Sequence, residues 1–309
     1  MSDNQSSQQG GGLATLIRRY PLVAYFVVAF AGTWLFFAPL SLSQRGLGWL
    51  PIELSDTVGF VLYFLATYTG PFAAAFLVTG VVEGKAGIKR LARRMVQWRV
   101  GIVWYLVLLI GYPALLLLGV AFVDGGLSLQ KLAEGLPLMV SVFLPSLLFG
   151  IFFPSLGEET GWRGFALPRM QASYGPLAGS LLLGVLHALW HLPAYPVRGL
   201  FADAGWDTTL FVANSLSIIL ATLLWTWLFN NGKGSVLFAI LIHATSNASS
   251  ALVPAWLDLK ADDPWVLAKV LGGAALLLVL ATRGRLGYQS EQGQMARMVG
   301  PSATPAPTA

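Results

Sequence analysis

Apolar stretches, each about as long as a bilayer is thick, fill most of the chain between residues 21 and 282. A helix needs roughly 20 apolar residues to cross the hydrocarbon core. Inside that core every backbone N–H and C=O must find its partner within the protein, which leaves helices and closed barrels as the only spanning structures. Runs of this length, unbroken by strand-like alternation, predict helices. We read spans over 21–42, 57–82, 102–123, 136–155, 176–195, 210–229, 235–253 and 265–282. The fold expected is therefore an all-α polytopic membrane helix bundle of about eight transmembrane helices. It forms one domain, residues 16–284, between disordered tails at 1–15 and 285–309. Only 11% of the residues are charged, against about 25% in a soluble domain, so no soluble domain is expected.

The sparse charges are distributed unevenly. Arg18 and Arg19 precede the first span, and Lys85, Lys89, Arg90, Arg93, Arg94 and Arg99 follow the second. The first span is too long for a signal-peptide core, so we read it as uncleaved. Ile88, Leu91, Met95 and Trp98 recur at helical spacing within the basic loop, which predicts a short amphipathic helix on the inner leaflet. The intervening odd loops hold fewer cations, beside acids such as Glu53, Asp56, Asp203, Asp207, Asp258, Asp262 and Asp263. Basic residues stay on the cytoplasmic side of a membrane protein, so both termini are expected there, with the plasma membrane of a bacterium as the host. Because the cations flank apolar spans, nucleic acid is not an expected partner. Cysteine is absent, which excludes disulfides, thiolate metal sites and a thiol nucleophile.

Against this background one string stands out: Glu158-Glu159-Thr160-Gly161-Trp162-Arg163. Ionisable groups in membrane segments are costly and mark sites or pathways. Glu159 and Arg163 are four apart and share a helix face, so they are expected to pair, while Glu158 points about 100° away. A helix over 158–167, ended by Pro168, is expected after the fourth span. His187 and His191 share a face of the fifth span, and His243 and Asn247 a face of the seventh. Together these groups suggest a polar cavity. A desolvated carboxylate suits a general base acting on water, and imidazole or amide donors suit a developing oxyanion. Proton relay or cation transport uses the same parts. No serine sits in a Gly-x-Ser-x-Gly elbow.

At these residues the sequence resembles the CPBP (CAAX protease and bacteriocin-processing, or Abi) family of intramembrane proteases, related to the type II CAAX prenyl endopeptidases. The resemblance rests on Glu158 to Arg163, on Trp190-His191-Leu192-Pro193, and on His243 with Asn247. His187 stands where the family has an aromatic residue. The resemblance implies that Glu158 activates water held by His191, that His243 and Asn247 stabilise the oxyanion, and that Glu159 and Arg163 act as second base or support. It also implies a peptide or protein substrate, CAAX-type or small and in some cases lipid-modified, within membrane lipid, and a site opening toward the cytoplasmic leaflet. A divalent metal such as zinc is compatible with His187, His191, His243 and Glu158 as ligands. The competing expectations are a proton- or cation-coupled transporter and a catalytically idle bacteriocin-immunity protein.

Overall fold

A computed structural model describes residues 12–124, 128–201, 205–257 and 263–289. The expected tail residues 1–11 and 290–309, and the loop acids Asp203, Asp258 and Asp262, lie outside these. The described residues form nine helical elements, in order: α1 (Gly12–Arg19), α2 (Pro21–Leu42), α3 (Asp56–Met95), α4 (Ile102–Val123), α5 (Gln130–Tyr174), α6 (Pro176–Ala194), α7 (Thr208–Asn231), α8 (Val236–Leu257) and α9 (Val266–Thr282). Among the described residues there is no strand, as the sequence predicts. Among the same residues seven helices, α2 to α8, are long and apolar enough to cross a membrane; α9, the eighth expected span, is a shorter apolar helix. α1 starts at Gly12, inside the segment read as tail, and Leu286, beyond the expected domain end, is fully buried.

The bundle has two distinguishable ends. At one, Arg18 Nε donates to Val81 O, Arg169 pairs with Glu83, Gln97 Nε2 donates to Lys233 O, and Asn230 Nδ2 donates to Leu286 O. This end gathers the described chain termini and the basic loop. At the other, Arg198 N donates to Arg45 O, Lys131 Nζ to Leu257 O, and Lys269 pairs with Asp263 at 2.6 Å. α8 runs through the centre: 72% of its apolar window is buried, and no other span exceeds 44%.

Two helices are broken, at three points, where the sequence demands it. In α3, Gly70 leaves helical geometry (φ −80°, ψ −107°) just before Pro71, and Gly84 adopts φ +63°, a conformation open to glycine at little cost. The expected amphipathic helix is therefore the continuation of α3 beyond Gly84. In α5, Phe153 is extended (φ −149°, ψ 120°), because Pro154 disfavours helical geometry in the residue before it.

That break corrects the sequence reading of the fourth span. The acidic motif does not follow the span; it lies inside it, because α5 runs on to Tyr174. Nor does Pro168 end the helix. Leu167 N–H bonds to Trp162 O, one residue further back than in an α-turn, which leaves Arg163 O free. Pro168 has no N–H to offer Gly164 O. Both freed carbonyls accept from the Arg94 guanidinium, at 3.3 and 2.8 Å, and its Nε bonds to Gly234 O at 2.8 Å. A cation from the basic loop thus replaces the backbone donors, and the helix continues.

The inner half of α5 packs tightly against the α3 break. A Cβ at Gly161 would meet Tyr25 Oη and, at 2.5 Å, the backbone oxygen of Pro71. Backbone cannot step aside as a flexible side chain can, so G161A is expected to destabilise the fold by about 1–3 kcal/mol. Unfolding of the purified protein in detergent checks this; unchanged stability would mean that the close packing is not required.

Candidate active site

The break at Phe153 sets Glu158 and Glu159 in mid-bundle, where residues 157 to 167 are all buried. Successive residues on a helix point about 100° apart, and the two acids engage different helices. Glu158, 1% exposed, faces α6; Glu159, fully buried, faces α8.

Each acid anchors one imidazole. His187 Nε2 lies 2.9 Å from Glu158 Oε2, and His243 Nδ1 lies 2.9 Å from Glu159 Oε1. A carboxylate only accepts, so each of those ring nitrogens carries a proton. Glu159 also accepts from Arg163 Nη1 at 2.5 Å, both side chains fully buried. The pairing expected from the four-residue spacing is present. Arg163 stacks over Trp225 at 4.8 Å, and the other side of this arrangement brings Trp225 within 5.0 Å of the His243 ring. Helix α7 thereby holds both members of the Glu159 network.

His191 is held by its own helix. Its Nδ1 lies 3.0 Å from His187 O; a carbonyl cannot donate, so Nδ1–H donates and Nε2 offers a lone pair. The end of α6 is fixed by Trp190, whose Nε1 donates to Thr33 Oγ1 at 2.8 Å and whose carbonyl accepts from Trp34. Glu158, His187 and His191 each bring one ligand atom, all within 4.8 Å of one another. One water, or one ion, can touch all three. Two imidazoles and a carboxylate are a donor set that suits zinc with a position left open, so these residues fit such a metal in number and kind. His243, tied to Glu159, stands outside the group.

A cavity of about 230 Å³ adjoins this cluster, with His187, His191, His243 and Asn247 on its wall. Glu158, Glu159 and Arg163 are not on the wall; they sit behind the imidazoles. The cavity also exposes Asn214 and Ser217 of α7 and Ser246 and Ser250 of α8, which the sequence reading missed. The signal was present for the first two: polar side chains three apart share a face of an otherwise apolar span. Nothing in the sequence marked Trp225. The cavity's deep end lies at Trp225, and its exposed lining, Asn247 and Ser250, lies toward the C-terminal end of α8. The mouth is thus at the end of the bundle opposite the basic loop. The sequence expectation put it on the basic side. The difference arises because His191 closes α6 and Asn214 lies near the start of α7, so the polar groups climb away from the basic end.

Fold and site together define a polytopic membrane protein with a buried Glu/His cluster beside a cavity lined by both polar and apolar side chains. Residues 137–249 match the family described as Rce1-like, type II CAAX prenyl endopeptidase Rce1-like. That stretch contains all three motifs, so the resemblance read from them is found again across the whole site. The chain is also 28% identical over 171 residues to CAAX prenyl protease 2 of Methanococcus maripaludis, an alignment covering 54% of this chain and 62% of that protein.

Proposed function

We propose that the chain is an intramembrane endopeptidase that hydrolyses a peptide bond with water activated by Glu158. The observation that carries this reading is the convergence of Glu158, His187 and His191 within 4.8 Å beside the cavity. The Rce1-like match and the name of the archaeal relative support a peptidase acting on a peptide or protein in the membrane.

In this reading a water at the cluster donates to the Glu158 carboxylate and to the bare Nε2 of His191. As its oxygen bonds to the carbonyl carbon, Glu158 takes the proton. The carbonyl π electrons move onto oxygen, where the Asn247 amide donates to the oxyanion. His243, on the same cavity wall, is the second donor in this reading. Glu158 then delivers its proton to the leaving amine as the C–N bond breaks. Glu159 and Arg163 position His243 without touching substrate. A divalent ion held by Glu158, His187 and His191 would supply Lewis acidity and lower the pKa of a bound water.

The test compares membrane peptides by mass spectrometry between cells making wild-type protein and cells making E158Q at equal abundance. The expected result is at least one peptide whose new C-terminus occurs only with wild type. Identical peptide sets, with solute flux in proteoliposomes that depends on Glu158, would replace peptidase by transporter.

A further inference from the structure

We infer that the cavity admits its substrate from the extracytoplasmic side of the membrane, so that the cleaved segment belongs to an exported peptide or to the outward-facing end of a membrane-anchored chain. The inference rests on the peptidase reading for what happens to the substrate, but the direction of entry rests on geometry and charge.

Two independent observations carry it. The first is the polarity of the cavity. α6, α7, α8 and α9 all contribute to its wall, and along each the lining residues lie toward the same end of the bundle. On α6 the wall runs from His187 out to His191, the last turn. On α8 it runs from buried His243 out to exposed Ser250. On α7 it starts at Asn214, near the first turn, and stops at buried Trp225; below that Leu228 and Phe229 are buried. On α9 only Leu267 and Leu271, in the first half, take part. Phe201, from the connection between α6 and α7, stands at the rim. The cavity is therefore open at the end where α6 finishes and α7 begins, and closed toward the other.

The second observation is charge. The closed end carries Arg18, Lys85, Lys89, Arg90, Arg93 and Arg99, among others. The open end carries Arg45, Lys131 and Arg198 on its described connections, with Asp56, Glu134, Asp207 and Asp263 among them. Connections rich in lysine and arginine are retained on the cytoplasmic side. The closed end is then cytoplasmic, both described ends of the chain lie with it, and the mouth faces outward.

The mouth also says what it takes. Asn214, Ser217, Asn247 and Ser250 offer amide and hydroxyl groups that suit the backbone of an extended peptide, while Ile218, Leu267 and Leu271 suit an aliphatic side chain. At about 230 Å³ the cavity is smaller than the roughly 300–1,000 Å³ that encloses a drug-sized ligand. It holds a short stretch of chain.

The protein has no cysteine, so single cysteines report accessibility without background. Ser250, Leu47 and Ala92 are all exposed; they mark the mouth, the open-end connection after α2, and the basic loop. S250C, L47C and A92C are each treated with a membrane-impermeant maleimide in spheroplasts, before and after permeabilisation. The expected result is labelling of S250C and L47C before permeabilisation and of A92C only after it. Labelling of A92C from outside, or of S250C only after permeabilisation, overturns the inference, as does an S250C that never reacts. None of these outcomes depends on whether the site cleaves anything. Loss of the peptidase reading would instead appear as unchanged peptides in the Glu158 comparison.

Discussion

Peptide cleavage by E158Q is expected to fall by about 10²- to 10⁴-fold, the range that a positioned general base contributes, with the loss in kcat and little change in KM. Glutamine keeps the length of the side chain and a carbonyl oxygen that accepts from His187 Nε2–H at the position of the 2.9 Å contact. The helix packing around this buried residue is therefore preserved, and only basicity is removed. KM is spared because Glu158 lies behind the cavity wall, which is built by His187, His191, His243 and Asn247. The measurement is steady-state kinetics on the peptide identified by the comparison of membrane peptides, with thermal unfolding as the check that the variant is folded. A fold-change below about ten in a folded E158Q would remove Glu158 from the proton-transfer step.

The largest stability effect is expected at Arg163. Its pair with Glu159 is completely buried, and removing one member of such a pair leaves an uncompensated charge, at a cost of about 3–5 kcal/mol. R163M is expected to show that loss, since Glu159 would keep only its bond to His243. Arg163 Nε and Nη2 have no hydrogen-bond partner among the described residues, so the guanidinium is not held by a redundant network. The double variant E159Q/R163M is expected to regain a large part of the loss, because replacing both charges removes the unpaired one. It should nevertheless remain slow in cleavage, because His243 has lost its carboxylate. Denaturant unfolding in detergent measures the first effect and peptide kinetics the second. Equal stability of R163M and wild type would contradict the account of the pair.

The sequence disclosed the broad fold because lipid leaves little choice: apolar runs of bilayer length must be helices. It disclosed the Glu159–Arg163 pair because four-residue spacing on a helix is local geometry. It did not disclose that the motif lies within α5, because that depends on the extended Phe153 and on Arg94, which comes from a basic loop about 70 residues earlier and takes over the carbonyls that the widened turn and Pro168 leave free. Such a partnership across the fold has no local signal. Asn214 and Ser217 were legible as two polar residues on one face but gain meaning only once α7 is known to face His243. The partner of Glu158 followed the same rule. His187, which departs from the family pattern, makes the hydrogen bond, while His191 keeps a bare nitrogen beside it.

Everything functional depends on solvent reaching the acids through the imidazoles. The most direct measurement is an experimental density map of the protein in lipid nanodiscs, at a resolution that orders bound water. The account predicts a water or an ion in contact with the Glu158 carboxylate and His191 Nε2, connected to the cavity beside Asn247. Side chains of hydrocarbon packed between Glu158 and His191, with no solvent at that position, would contradict it.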